Sequence, residues 1–132
     1  MGSFRASLEI GGKEFDVLKA DYSFSRDTDK KGKPASGVYG GRVQVTVEST
    51  EDTSIIEKML NSQFKTVEGK LVFKKTEEDA KMKEVEFKNA YIVYYKEKLD
   101  VLGDVPMQLT ITFSAEELII GNAEINNRWP KA

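Results

Sequence analysis

Glu84 and Glu86 stand two residues apart in Lys83-Glu84-Val85-Glu86-Phe87-Lys88. On a strand this spacing sends both carboxylates to one face while Val85 and Phe87 take the other. Paired carboxylates can divide acid and base work in glycoside hydrolysis. The flanking lysines favour a plainer reading, a solvated outer face. Glu77, Glu78 and Asp79 could hold a calcium ion, but they lack the spaced ladder, glycine and distal glutamate of a calcium-binding loop, so a surface turn is expected. Gly37, Gly40 and Gly41 could cradle a phosphate, yet no Lys-Ser/Thr follows and the segment runs into a strand. A glycine bulge or tight strand start accounts for them better. Lys30, Lys31 and Lys33 form a basic spot, diluted by Asp27 and Asp29 and without an exposed aromatic for base stacking, so no nucleic-acid partner is expected.

The rest of the composition narrows the chemistry further. The 132 residues contain no cysteine and no histidine. That removes disulfides, thiolate metal sites and cysteine nucleophiles, and with histidine go the usual triad base and the commonest metal ligand. Twenty Lys and Arg against twenty-two Asp and Glu leave a net charge of −2, which suits neither a polyanion nor an anionic lipid surface. No catalytic residue, cofactor or metal is therefore expected, and the chain reads as a non-enzyme. The length suits one domain over residues 1–132. The first residues lack the apolar run of a signal peptide, and no stretch reaches the ~20 apolar residues of a membrane span. A protein folded in the cytoplasm, with no membrane insertion, is expected.

These side chains must be carried mainly by strands, because the dominant pattern is alternation. Phe4, Ala6, Leu8 and Ile10 alternate with polar residues up to Gly11-Gly12, a two-residue hairpin turn. The return strand changes phase between Val17 and Leu18, the mark of a β-bulge. Val43, Val45 and Val47, Leu71 and Phe73, Val85 to Tyr95, and Met107 to Phe113 give further strands, and Leu118, Ile119 and Ile120 form a last apolar group. Only Thr53 to Ser62 departs: Ile55, Ile56, Met59 and Leu60 make a helical stripe, with Ser54 and Glu57 at capping-box spacing. Residues 26–37 form a long charged excursion. The prediction is a mainly β domain, a small antiparallel barrel or two-sheet sandwich with one short α-helix. Tyr91-Ile92-Val93-Tyr94-Tyr95 is apolar at both parities, which predicts a strand sheltered on both faces, either by the core and the helix or with one face packed against another copy of the chain.

The order of several short segments resembles the tube protein of the type VI secretion system, the haemolysin-coregulated protein, in the Bacteroidetes form called TssD. They run from Ser3-Phe4 and Gly11-Gly12-Lys13-Glu14-Phe15 through Tyr22-Ser23-Phe24-Ser25, Gly40-Gly41 and Val47-Glu48-Ser49-Thr50. Ala90-Tyr91, Pro106-Met107-Gln108, Ser114-Ala115-Glu116 and Asn126-Asn127-Arg128-Trp129 continue the series. Two departures stand out: the helix has no aromatic residue, and no histidine lies near the end.

The resemblance implies an Hcp-like tube fold and a structural role. Hexameric rings would stack into a hollow tube that works with sheath, spike and baseplate proteins and carries effectors. Such a protein assembles in the cytoplasm and is then secreted by the apparatus itself, without a signal peptide. It also implies that the excursion carrying Asp27, Asp29, Lys30, Lys31 and Lys33 stacks ring on ring. Tyr91, Val93, Tyr94 and Tyr95 are the candidate lateral interface. A phage-tail-like tube subunit and a monomeric β-barrel binding a ligand or adaptor are the alternatives.

Overall fold

The computed structural model describes residues 4–61, 65–75, 81–104 and 107–130. The acidic triplet Glu77, Glu78 and Asp79 lies outside them. Among the described residues seven strands and one helix follow in the order β1 (Phe4–Ile10), β2 (Lys13–Tyr22), β3 (Arg42–Glu48), α1 (Ser54–Leu60), β4 (Val67–Lys75), β5 (Lys81–Leu99), β6 (Met107–Ile120) and β7 (Ala123–Asn126). Every pairing is antiparallel. The sheet runs β3-β2-β1-β4-β5-β6, and β6 pairs back onto β3, closing a six-stranded barrel. β7 adds to β6 beyond the point where β3 begins, with Arg42 opposite Ser114 and Asn126 opposite Glu117. Of the barrel and the two-sheet sandwich that the alternation leaves open, the structure is the barrel.

Inward positions fill the barrel with aliphatic and aromatic side chains, as a six-stranded tube must if it is to hold no channel of its own. Leu8, Val43, Val45, Val47, Leu71, Val85, Phe87, Ile111 and Phe113 are completely buried. The Phe87 and Phe113 rings stack with centroids 4.6 Å apart. Gly11 and Gly12, at φ +60° and +77°, make the expected β1–β2 turn. The phase change in β2 is a bulge at Leu18, where the β3 partner steps from Val47 opposite Val17 to Thr46 opposite Lys19.

The helix begins differently from the capping-box expectation. Its N-cap is Thr53, one residue before Ser54. Asp52 does the capping, accepting from the Ser54 backbone N–H at 3.1 Å and from its hydroxyl at 2.9 Å. Glu57 accepts from the Thr53 hydroxyl at 2.6 Å. Asp52 also takes Lys13 Nζ at 2.7 Å, so the helix start is tied to the β1–β2 hairpin. The lysine and Ser54 hold the Asp52 carboxyl below its ordinary range. A helix of seven residues is unstable alone, and this one stands by packing on β5 with Ile55 buried and Met59 against the core.

β5 explains the two-parity reading of Tyr91 to Tyr95. Two bulges interrupt its alternation. Lys88 and Asn89 together face one β4 residue between the Gly69–Phe87 and Val67–Ala90 pairs, and Asn89 takes φ +51°. Val93 is surplus between the Ile92–Phe113 and Tyr94–Thr112 pairs. The buried set therefore runs Val85, Phe87, then Ala90, Ile92, and Tyr95 packs on the core beyond the second bulge. Burial raises the Tyr95 hydroxyl above its ordinary pKa, with Glu97 and Asp52 adding to the effect.

Candidate functional site: an assembly surface

The two carboxylates considered for acid–base work lie on the outer face of β5, each beside lysine. Glu84 accepts from Lys81 Nζ at 2.5 Å and sits 3.7 Å from Lys70 Nζ, and Glu86 lies 3.9 Å from Lys88 Nζ. The Lys81 hydrogen bond, with further help from Lys70, holds the Glu84 carboxyl below its ordinary range. A general acid in a glycosidase needs the opposite shift.

The sign of that shift makes a prediction. A depressed carboxylate contributes stability that is complete above its unfolded pKa and is lost as pH falls through the folded value. Chemical denaturation should therefore give a flat profile from pH 7 to roughly 5 and a decline below roughly pH 4.5. Glu84→Gln should make that decline shallower by less than about 1 kcal/mol, as expected of a surface pair. An unchanged acid limb in the variant would mean the pair contributes nothing.

The lateral candidates separate by face. Val93 and Tyr94 are 42% and 45% exposed on the barrel wall. Tyr91 is half-buried because Trp129 stacks on it at 5.5 Å, and Tyr95 turns to the core. The structure thus brings Val93 and Tyr94 together outside and sends Tyr95 inward.

The long excursion is an ordered arm. Ser25 and Tyr39 pair through two backbone hydrogen bonds at its base, and Thr28 bridges Pro34 further out. Both aspartates are used internally. Asp29 Oδ1 accepts from the Lys31 and Lys33 backbone N–H groups at 2.9 and 3.0 Å, and Asp27 Oδ2 accepts from the Tyr39 hydroxyl at 2.7 Å. Lys30, Lys31 and Lys33 are exposed, and none has an ion-pair partner among the described residues. Asp27 and Asp29 shape the arm, and its outer end presents cations.

One group of residues went unread in the sequence: a clasp that joins β3, β6 and the tail. Gly41 O accepts from Ala115 N at 2.8 Å, and Asn127 Nδ2 donates to Gly40 O and Ala115 O at 3.1 and 3.2 Å. Glu116 receives the Trp129 backbone N–H at 2.7 Å on one oxygen and Asn89 Nδ2 at 2.8 Å on the other. Four segments that carried the family resemblance, Gly40-Gly41, Ala90-Tyr91, Ser114-Ala115-Glu116 and Asn126-Asn127-Arg128-Trp129, meet here. The Gly121-Asn122 pair after an apolar run was the available signal for the turn into β7.

Gly41 has φ +110°, and a Cβ there would lie 2.7 Å from both Ala115 O and Asn127 Nδ2. Backbone strain and lost hydrogen bonds should make Gly41→Ala cost roughly 3 kcal/mol. The urea midpoint would fall at unchanged slope, and an unshifted midpoint would show that the clasp bears no strain.

The described residues thus form a filled, closed barrel with Val93 and Tyr94 exposed on its wall and exposed lysines on its arm. The sequence matches the profile of the hemolysin coregulated protein Hcp (TssD) over residues 2–130, and the chain belongs to that family. Its fold is similar to Hcp1 from Flavobacterium johnsoniae, at 36% identity and TM-score 0.88, covering 93% of this chain and 99% of that one. Hcp1 from Salmonella typhimurium, at 12% identity and TM-score 0.72, covers 89% of this chain and 85% of its own. A chain from the structure of an extracellular contractile injection system, its PVC sheath/tube terminator in the extended state, shares the fold at 12% identity and TM-score 0.56, covering 88% of this chain and 92% of that one. No match is found among the curated proteins. No helix of the described residues is long and apolar enough to cross a membrane.

Proposed function

We propose that this chain is the repeating subunit of the inner tube of a type VI secretion system. Six copies form a ring, and rings stack into a hollow tube. The observation that carries this reading is the family match across residues 2–130, joined to 36% identity over nearly the whole of the Flavobacterium johnsoniae protein. The role is mechanical and involves no catalysis. Sheath, spike and baseplate proteins are its partners, and effectors travel in the lumen. Assembly takes place in the cytoplasm, and the tube leaves the cell through the apparatus it builds.

Within this reading Val93 and Tyr94 face the neighbouring subunit in the ring. A heterologous contact repeated around a rotation axis closes a ring from one kind of patch pair. The arm carrying Asp27, Asp29, Lys30, Lys31 and Lys33 reaches the next ring through its lysines. Exposed ion pairs there are weak and screened by salt, which suits a tube that must also come apart.

Electron microscopy of the purified chain tests the proposal. Uniform rings with a central hole are expected, and a monodisperse monomer at all concentrations would overturn it.

A further inference from the structure

We propose that the lysine tip of the arm docks in an acidic groove beside the β1–β2 hairpin of a second copy of the chain. The proposal rests on the tube reading above and gives the arm's lysines the surface that receives them.

The groove, of about 380 Å³, runs from the β1–β2 turn across β4 to β5. Register sets one row of its wall. Glu14 of β2 stands opposite Glu9 of β1, Glu9 opposite Lys70 of β4, and Lys70 opposite Glu86 of β5. Glu68 and Lys13 complete the charged lining, so four carboxylates meet two lysines. Both lysines are drawn to carboxylates outside the lining: Lys13 Nζ lies 2.7 Å from Asp52, and Lys70 Nζ lies 3.7 Å from Glu84. Glu86 has Lys88 Nζ at 3.9 Å, whereas Glu9, Glu14 and Glu68 have no ion pair among the described residues. Like charges directly opposite one another in a sheet are destabilising. The Glu9–Glu14 pair therefore carries a repulsion that an incoming cation relieves.

The arm offers matching cations in a preformed shape. Asp29 O accepts from Gly32 N at 3.0 Å and Asp29 N donates to Lys33 O at 2.9 Å, closing a tight turn with Gly32 at φ +82°. Lys30, Lys31 and Lys33 are exposed on that turn. A tip whose backbone is fixed beforehand loses little entropy on docking.

The two halves lie at opposite ends of β2. Glu14 is its second residue, and the arm leaves after Tyr22, eight residues on. At about 3.4 Å per residue the separation is roughly 27 Å. None of the described arm residues lines the groove. The tip of one copy is thus left for the groove of another, and their opposite charges select that pairing. Each copy then offers one tip and one groove, so the contact extends from copy to copy.

The chain has no cysteine, so single thiols report cleanly. Chains carrying Lys31→Cys, assembled together with chains carrying Glu14→Cys and treated with a short bismaleimide, should give a covalent dimer that neither chain gives alone. Lys30→Glu/Lys31→Glu/Lys33→Glu should lower the assembled mass at least several-fold at matched concentration, with circular dichroism unchanged. Glu9→Lys/Glu14→Lys/Glu68→Lys should do the same, and both sets in one chain should restore the parent mass. Replacing the second set by Glu97→Lys/Asp104→Lys/Glu124→Lys keeps the same net charge but leaves the groove acidic, and should restore nothing. Rescue by that displaced set would assign the effect to net charge and overturn the contact. An assembled mass untouched by groove reversal would also overturn it, giving the groove to some other cation. Parent rings with neither mixed dimer nor rescue would overturn the contact while leaving the tube reading standing. A parent chain that forms no rings would refute the tube reading and the contact with it.

Discussion

Val93→Asp and Tyr94→Asp, made together, should convert the assembled protein into a folded monomer, with an about six-fold fall in mass by light scattering. Both side chains project from the wall of the barrel, so water hydrates the new carboxylates in the separated subunit. In a ring each would be buried against apolar surface without a partner, a penalty of several kcal/mol per interface. Circular dichroism and the thermal midpoint should stay close to those of the parent chain. Tyr95→Asp supplies the contrast: this side chain packs on the core, so the carboxylate would have to enter the barrel and should lower the midpoint sharply. Unchanged mass in the double variant would place the lateral contact elsewhere on the barrel.

Phe87→Ala should be the most damaging single truncation, at about 4 kcal/mol of folding free energy. Phe87 is fully buried and stacks on Phe113 across the β5–β6 pair. Its removal takes away both the burial of an aromatic ring and the ring–ring contact, and leaves a hole between strands that closure prevents from collapsing. A domain of this size has roughly 5–15 kcal/mol in total, so the variant stands near the edge of folding at 37 °C. Urea denaturation should show a much lower midpoint, and a loss below about 1.5 kcal/mol would mean that the barrel relaxes around the gap.

The strands were legible because polar and apolar residues alternate along them, and the bulge in β2 was legible because it shifts that phase at Leu18. The same logic is incomplete at Tyr91 to Tyr95. The bulges at Asn89 and Val93 switch which parity points inward, so a changed register accounts for part of the two-parity apolar run, with Val93 and Tyr94 left on the outer face. Sequence periodicity cannot separate a buried outer face from a changed register when both leave the same string of letters. The capping box at Ser54 and Glu57 failed by one position, since Asp52 reaches the helix start first and the N-cap falls on Thr53. The clasp was invisible for a different reason. Gly41, Glu116 and Asn127 are far apart in the chain, and their meeting depends on β3 and β7 sharing one edge of β6. The charged, irregular composition marks the arm, but nothing in it shows that Asp29 is spent on the arm's own backbone and Asp27 on the Tyr39 hydroxyl while its lysines stay exposed.

The surplus residue in β5 has a consequence for descent. Ile92 and Tyr94 face adjacent β6 residues with Val93 between them, so deleting Val93 leaves each flanking pair matched as before. Most single-residue losses within a strand reverse the facing of everything beyond them and ruin the interior. At this place, mid-strand, a lineage can drop or exchange an exposed residue while the hydrophobic interior stays untouched. The barrel can acquire new neighbours at Val93 without having to relearn how to fold.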